Sequence, residues 1–172
     1  MLYQYQFACD RRNLKSVRDF VSDVLRDEHF PESEIPAVVL AVDEICANLI
    51  EHSHQSDPND VIEVQMRVSP DAVVCEIIDR DGIFFDFSAH TNPDIRQMVR
   101  EGRNGGVGLM LVKRLVDKVE LERHGTQSTW RLTKINPCSE GGFPQNGSSA
   151  ATPDGGFPSL SFNEGQAARP SV

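Results

Sequence analysis

The chain lacks a basic excess, a long apolar run and any paired-cysteine motif, and each absence argues against a class of function. Lys and Arg number 17 against 26 Asp and Glu, a formal net charge of −9. A nucleic-acid binder draws its affinity mainly from basic side chains that neutralise phosphates. Docking on an anionic membrane needs the same sign of charge, so the balance argues against both partners. No apolar run approaches the roughly 18–20 residues of a membrane span. The start, Met1 to Phe7, has neither the basic residues nor the apolar stretch of a secretory signal. The four cysteines (Cys9, Cys46, Cys75, Cys138) are scattered without a Cys-x-x-Cys pair. They read as free thiols of a cytoplasmic protein rather than disulfides or a zinc site. What remains is an ordinary globular composition, 39% hydrophobic and 25% charged over 172 residues, the length of one domain with one sizeable core.

Composition shifts near Asn136. Residues 137–172 hold six Gly, five Pro and six Ser with only four charged side chains, too little apolar surface to offset the entropy of ordering them. This predicts a folded domain over 1–136 and a flexible Gly/Pro/Ser-rich tail over 137–172. The tail repeats Gly-Gly-Phe-Pro at 141–144 and 155–158, so a short docking motif carried by its Phe residues is the alternative. Within the domain, Leu2–Ala8 alternates as a strand, with Tyr3, Tyr5 and Phe7 on one face. Leu14, Val17, Val21, Val24 and Leu25 recur at helical spacing, and Pro31 follows. A second helix is expected from about Ile35 to His54, and a hairpin from Ile62–Val68 and Val73–Ile78 around Ser69-Pro70-Asp71. A weakly helical piece lies at Ile95–Val99, a third helix runs from Val107 to about Lys118, and Val119–Arg123 with Thr129–Lys134 form a second hairpin. Hairpins with three helices predict an α+β two-layer sandwich, its mixed, largely antiparallel sheet carrying helices on one face. A doubly wound parallel sheet fits less well.

Three places carry possible chemistry. On the second helix, at about 100° per residue, Ile35, Val38, Val39, Val42, Ile45, Cys46, Leu49 and Ile50 fill one apolar arc. Glu44 and Asn48 lie together outside it, four residues apart on one face. Such a pair can be ordinary solvated surface. It can also supply a hard oxygen ligand for Mg²⁺ beside a carboxylate that orients or deprotonates a nucleophile. His52 and His54 read as residues of the helix surface. The second place is Gly102-Arg103-Asn104-Gly105-Gly106-Val107-Gly108, opening straight into the third helix. Glycines that allow close backbone approach at a helix N-terminus make a phosphate cradle, although a glycine hinge without ligand has the same composition. Neither the P-loop nor the dinucleotide fingerprint fits, since Leu111 stands where the latter needs its third glycine. The third is Asp79-Arg80-Asp81-Gly82, at the end of a strand. It is either a turn or an acceptor for an exocyclic amine such as that of adenine.

In this order the three segments resemble the nucleotide-binding domain shared by histidine kinases, gyrase-type ATPases and anti-sigma-factor serine/threonine kinases. Val42–His52 resembles the family's N-box helix, Gly82–Asp86 its adenine-side glycine box, and Gly105–Asp117 its phosphate-side box, the match running over roughly residues 7–135. The short chain without a phosphoacceptor-His helix favours the stand-alone serine kinases. The resemblance implies ATP and Mg²⁺ as cofactors, Glu44 as general base and Asn48 as Mg²⁺ ligand. It also implies Gly105, Gly106, Val107, Gly108 and Leu109 at the phosphates, Arg103 as a cation within their reach, and 90–104 as a lid. The family's Asp stands two residues before the first glycine, where this chain has Arg80. The adenine contact therefore falls to Asp79, which ends the strand, or to Asp81, with Gly82 beside it. By resemblance such a kinase phosphorylates a small anti-anti-sigma (STAS-like) partner and holds a sigma factor, and it can form a homodimer. The alternative is a non-catalytic module that sequesters a regulator with the same fold.

Overall fold

Alternation of apolar and polar residues, as in Leu2–Ala8 (β1), builds one face of a sheet for burial. The computed structural model of the protein describes residues 1–54, 57–80, 107–139 and 161–164. After β1 come the helices α1 (Leu14–Asp27) and α2 (Ile35–Asn48), then the hairpin β2 (Val61–Val68) and β3 (Ala72–Asp79). The helix α3 (Val107–Leu115) precedes the strands β4 (Lys118–His124), β5 (Gln127–Ile135) and β6 (Ser161–Glu164). The sheet order is β1-β2-β3-β5-β4-β6. The first five strands pair antiparallel, and β6 runs parallel to β4, Glu120 opposite Ser161. This is the expected α+β architecture, with both predicted hairpins in place. Strand β6 comes from the segment expected to be a tail, and the expected helical piece at 95–99 lies outside the described residues.

Strand parity divides the sheet cleanly. Phe7, Ile62, Val64, Met66, Val73, Cys75, Ile77, Leu121, Trp130 and Leu132 are buried on one face, against Val17, Val21 and Leu25 of α1, Val38, Val42 and Ile45 of α2, and Leu109 and Val112 of α3. Tyr5 of β1 stacks on Phe20 of α1 with ring centroids 5.2 Å apart. The opposite face is polar and cross-linked across strands: Arg67 and Arg131 both reach Glu76, at 3.0 and 2.9 Å, and Arg80 reaches Glu63 at 2.9 Å. An antiparallel sheet with one face on the core and one in water is the arrangement that period-two alternation encodes.

Trp130 is 2% exposed at the centre of this core. Trp130→Ala is expected to lower stability by about 3–5 kcal/mol, the usual cost of deleting a buried aromatic ring, read as a fall in the urea midpoint. The thiols of Cys9, Cys46 and Cys75 are buried, and burial pushes their pKa values up; all four cysteines are free. No helix among the described residues is long and apolar enough to cross a membrane.

Candidate functional site

Helix α2 buries Ile35, Val38, Ala41, Val42, Ile45 and Cys46, so its other side is set by what those positions leave over. Glu44 and Asn48 come from that side, and both are half-buried rather than fully solvated. What covers them is the start of α3. A Cβ built on Gly108 would fall inside contact distance of Glu44 Oε2, 3.4 Å from Glu44 Cδ and 3.6 Å from Asn48 Nδ2. Only a residue without a side chain lets the first turn of α3 approach the carboxylate this closely, and the amide lies beside it at ordinary contact distance. The paired residues and the glycine that the sequence marks separately are thus one site.

The local electrostatics follow from that packing. Burial raises the pKa of Glu44, and the neighbouring carboxylate of Asp43 raises it further. Asp43 is itself held by Arg18 of α1 at 2.8 Å. The carboxylate of Glu44 is therefore a stronger proton acceptor than an exposed one, and it faces a helix N-terminus whose leading N–H groups have no partner within the helix. Helix N-termini of this kind attract anions. The side-chain oxygen of Asn48 is a hard donor of the type Mg²⁺ takes. Main-chain approach at Gly108, a carboxylate and an amide oxygen fit a nucleotide phosphate with its metal.

At the sheet end of the site, β3 runs out at Asp79. Val73, Cys75 and Ile77 face the helices, so parity puts Asp79 on the same face, and the residue is 2% exposed. Arg80, one residue on, turns to the polar face and pairs with Glu63. The residue that departs from the family pattern is thus off the helix side of the sheet, and Asp79 occupies the strand end facing α2. Asp81, Gly82, Arg103, Gly105 and Gly106 lie outside the described residues. Val107 opens α3, and Leu109 is buried in the core behind Gly108.

One feature reverses the sequence expectation. His54 is not on the helix surface: it is 5% exposed, with Nε2 at 2.9 Å from Asp79 Oδ1 and Nδ1 at 2.7 Å from Asp60 Oδ2. The cause is a π turn over Leu49–Ser53, where the amide of His54 donates to the carbonyl of Leu49 at 3.2 Å. A π turn advances about 80° per residue instead of about 100°. Over the five steps from Leu49 the His54 ring falls about 100° behind a regular helix, which carries it from the polar side into the buried arc. Nothing in the residue pattern marks where the helix widens. His52, on the same turn, is half-buried.

Comparison with known proteins places this geometry. A model of the histidine kinase-like ATPase domain matches residues 7–134. The serine-protein kinase RsbW of Bacillus subtilis (strain 168) is 27% identical over 113 residues, covering 63% of this chain and 69% of RsbW. Among solved structures, the RsbU and RsbW domains of Rv1364c from Mycobacterium tuberculosis superpose with a TM-score of 0.56 at 18% identity, covering 78% of this chain and 32% of that one. The SiaB–SiaC complex from Pseudomonas aeruginosa gives a TM-score of 0.52 at 14% identity, over 77% of this chain and 89% of that one. At these identities the two structures speak for the fold alone.

Proposed function

The chain belongs to the histidine kinase-like ATPase domain family, and from that premise we propose that it is an ATP- and Mg²⁺-dependent serine/threonine kinase of the anti-sigma type. Its substrate is a small anti-anti-sigma protein of the STAS kind, and the partner it releases or holds is a sigma factor or an analogous regulator in the cytoplasm. The observation that carries this reading is Gly108 seated against Glu44 and Asn48: a helix pair and a glycine some sixty residues further on make a single polar junction. The similarity to the RsbW kinase supports the protein substrate.

Each residue has a role that its surroundings suit. Glu44, its basicity raised by burial, accepts the proton of the attacking Ser or Thr hydroxyl as that oxygen bonds to the γ-phosphorus and the bond to the ADP oxygen breaks. The first turn of α3, brought close by Gly108, directs main-chain N–H groups at the phosphates. Its leading residues Val107 and Leu109, with Gly105, Gly106 and Arg103 ahead of them, complete the phosphate side. Asn48 is the residue that would hold Mg²⁺, and that ion, when bound, neutralises phosphate charge. Asp79 accepts the exocyclic amine of adenine; Asp81, beside Gly82, is the other carboxylate of that segment. Phosphoryl transfer asks mainly for positioning and charge compensation, so few side chains suffice.

Incubation of the whole chain with [γ-³²P]ATP, Mg²⁺ and its cognate STAS-like protein is expected to label that protein on Ser or Thr. Nucleotide binding with no transfer would reject the kinase and leave a sequestering module of the same fold. Asn48→Ala is expected to weaken Mg-ADP binding about 10–100-fold, the scale on which metal-site residues act, with less effect on metal-free nucleotide. Calorimetric titration with and without chelator measures both.

A further inference from the structure

We propose that His54 is a positioning residue for nucleotide-base recognition: wedged between Asp60 and Asp79, it fixes the Asp79 carboxylate in the orientation that reads the exocyclic amine of the purine. This rests on the reading of Asp79 as the base contact and adds a residue to it. The geometry is a two-sided clamp. Asp60 Oδ2 meets His54 Nδ1 at 2.7 Å, and His54 Nε2 meets Asp79 Oδ1 at 2.9 Å. The ring is 1% exposed and the Asp79 side chain 3%, while Asp60 reaches solvent with its side chain 37% exposed. The two ring nitrogens point in opposite directions, which suits a strut between carboxylates. Among the described residues no group of His, Cys, Asp and Glu converges to hold a metal ion.

Three physical points give the clamp its function. A carboxylate at a strand end rotates about its own χ2 unless something holds it, since that torsion is broad. The imidazole holds it by a charge-assisted hydrogen bond inside a buried site, where such bonds are strongest. A carboxylate has about four lone-pair positions, and the contact to His54 engages Asp79 through Oδ1. The π turn that brings His54 inward follows directly on the helix bearing Glu44 and Asn48. It therefore links the base end of the pocket to the helix of the phosphate end.

The test compares ADP with inosine diphosphate, which lacks the amine, by calorimetry on the full chain with Mg²⁺. Two substitutions separate the ring nitrogens. Glutamine places its amide nitrogen near the position of Nε2, and asparagine near that of Nδ1. His54→Gln is expected to keep the preference for ADP. His54→Asn is expected to weaken ADP by about tenfold or more, the scale of one hydrogen bond to a charged group, with inosine diphosphate nearly unchanged. A purely structural role would weaken both nucleotides in parallel and follow the melting temperature, and that result overturns the inference. So does an ADP preference that survives in His54→Asn. If the wild-type chain binds both nucleotides equally, the reading of Asp79 fails first and takes the inference with it. Should neither His54 variant fold, Asp60→Ala removes the solvent-side hold. A reduced ADP preference with inosine diphosphate binding intact then supports the clamp, and an unchanged preference overturns it.

Discussion

Glu44→Gln is expected to lower phosphoryl transfer to the protein substrate by about 10²–10⁴-fold, the range a positioned general base supplies, while nucleotide still binds and the melting temperature stays level or rises. The sign of the stability change comes from the environment of the carboxylate. Burial and Asp43 both raise its pKa in the folded chain. A group with a raised folded-state value contributes stability that is full below the unfolded-state pKa and is lost as pH rises through the folded-state value. At neutral pH the wild-type fold therefore carries the cost of an ionised, half-buried Glu44, and the neutral amide removes it. A side chain kept for packing alone would give the opposite result, a destabilised protein with proportionate loss of all functions. The same raised pKa sets the pH profile: on acidification the base is protonated, and transfer lost, at a higher pH than for an ordinary carboxylate. Stopped-assay transfer rates across pH 5–8, beside thermal melts of both proteins, check the two halves together.

Gly108→Ala is expected to lower transfer by about 10²-fold, because a misplacement of the order of 1 Å at a reacting group costs that much. The added methyl lands on Glu44 Oε2, the free end of a flexible side chain, so the carboxylate swings aside and the backbone stays. Stability changes little, since alanine favours the helix by up to about 1 kcal/mol over glycine and offsets part of the crowding. The effect should vanish in the Glu44→Gln background as a separate loss: the double variant falls no further than the Glu44 variant, as expected for residues acting as one unit. Additive losses in that cycle would mean that Gly108 acts on the phosphates alone.

The fold was largely legible because it rests on two periods. The alternation of Tyr3, Tyr5 and Phe7, and of Ile62, Val64 and Met66, states which strand face is buried, and Val17, Val21, Val24 and Leu25 state the same for α1. The candidate site was legible only as parts. Glu44 and Asn48 on one helix face are compatible with plain surface, and neither residue indicates that Gly108 will stand against them. That is a tertiary approach, and it shows only as a missing side chain. Strand parity separates Asp79, on the helix side, from Arg80, on the polar face, while Asp81 lies outside the described residues. His54 escaped because a uniform helical wheel assumes a constant rotation, and the π turn at Leu49–Ser53 breaks it. Strand β6 escaped because four residues within a Gly/Pro/Ser-rich segment are too short to show a period.

The central claim, that the junction of Glu44, Asn48 and Gly108 is a nucleotide-phosphate site, is tested most directly by titrating the whole chain with ATP in the presence of Mg²⁺. The account predicts saturable one-to-one binding that weakens when Mg²⁺ is chelated and again in Asn48→Ala. A flat titration, or saturable binding indifferent to both the metal and Asn48, would contradict it.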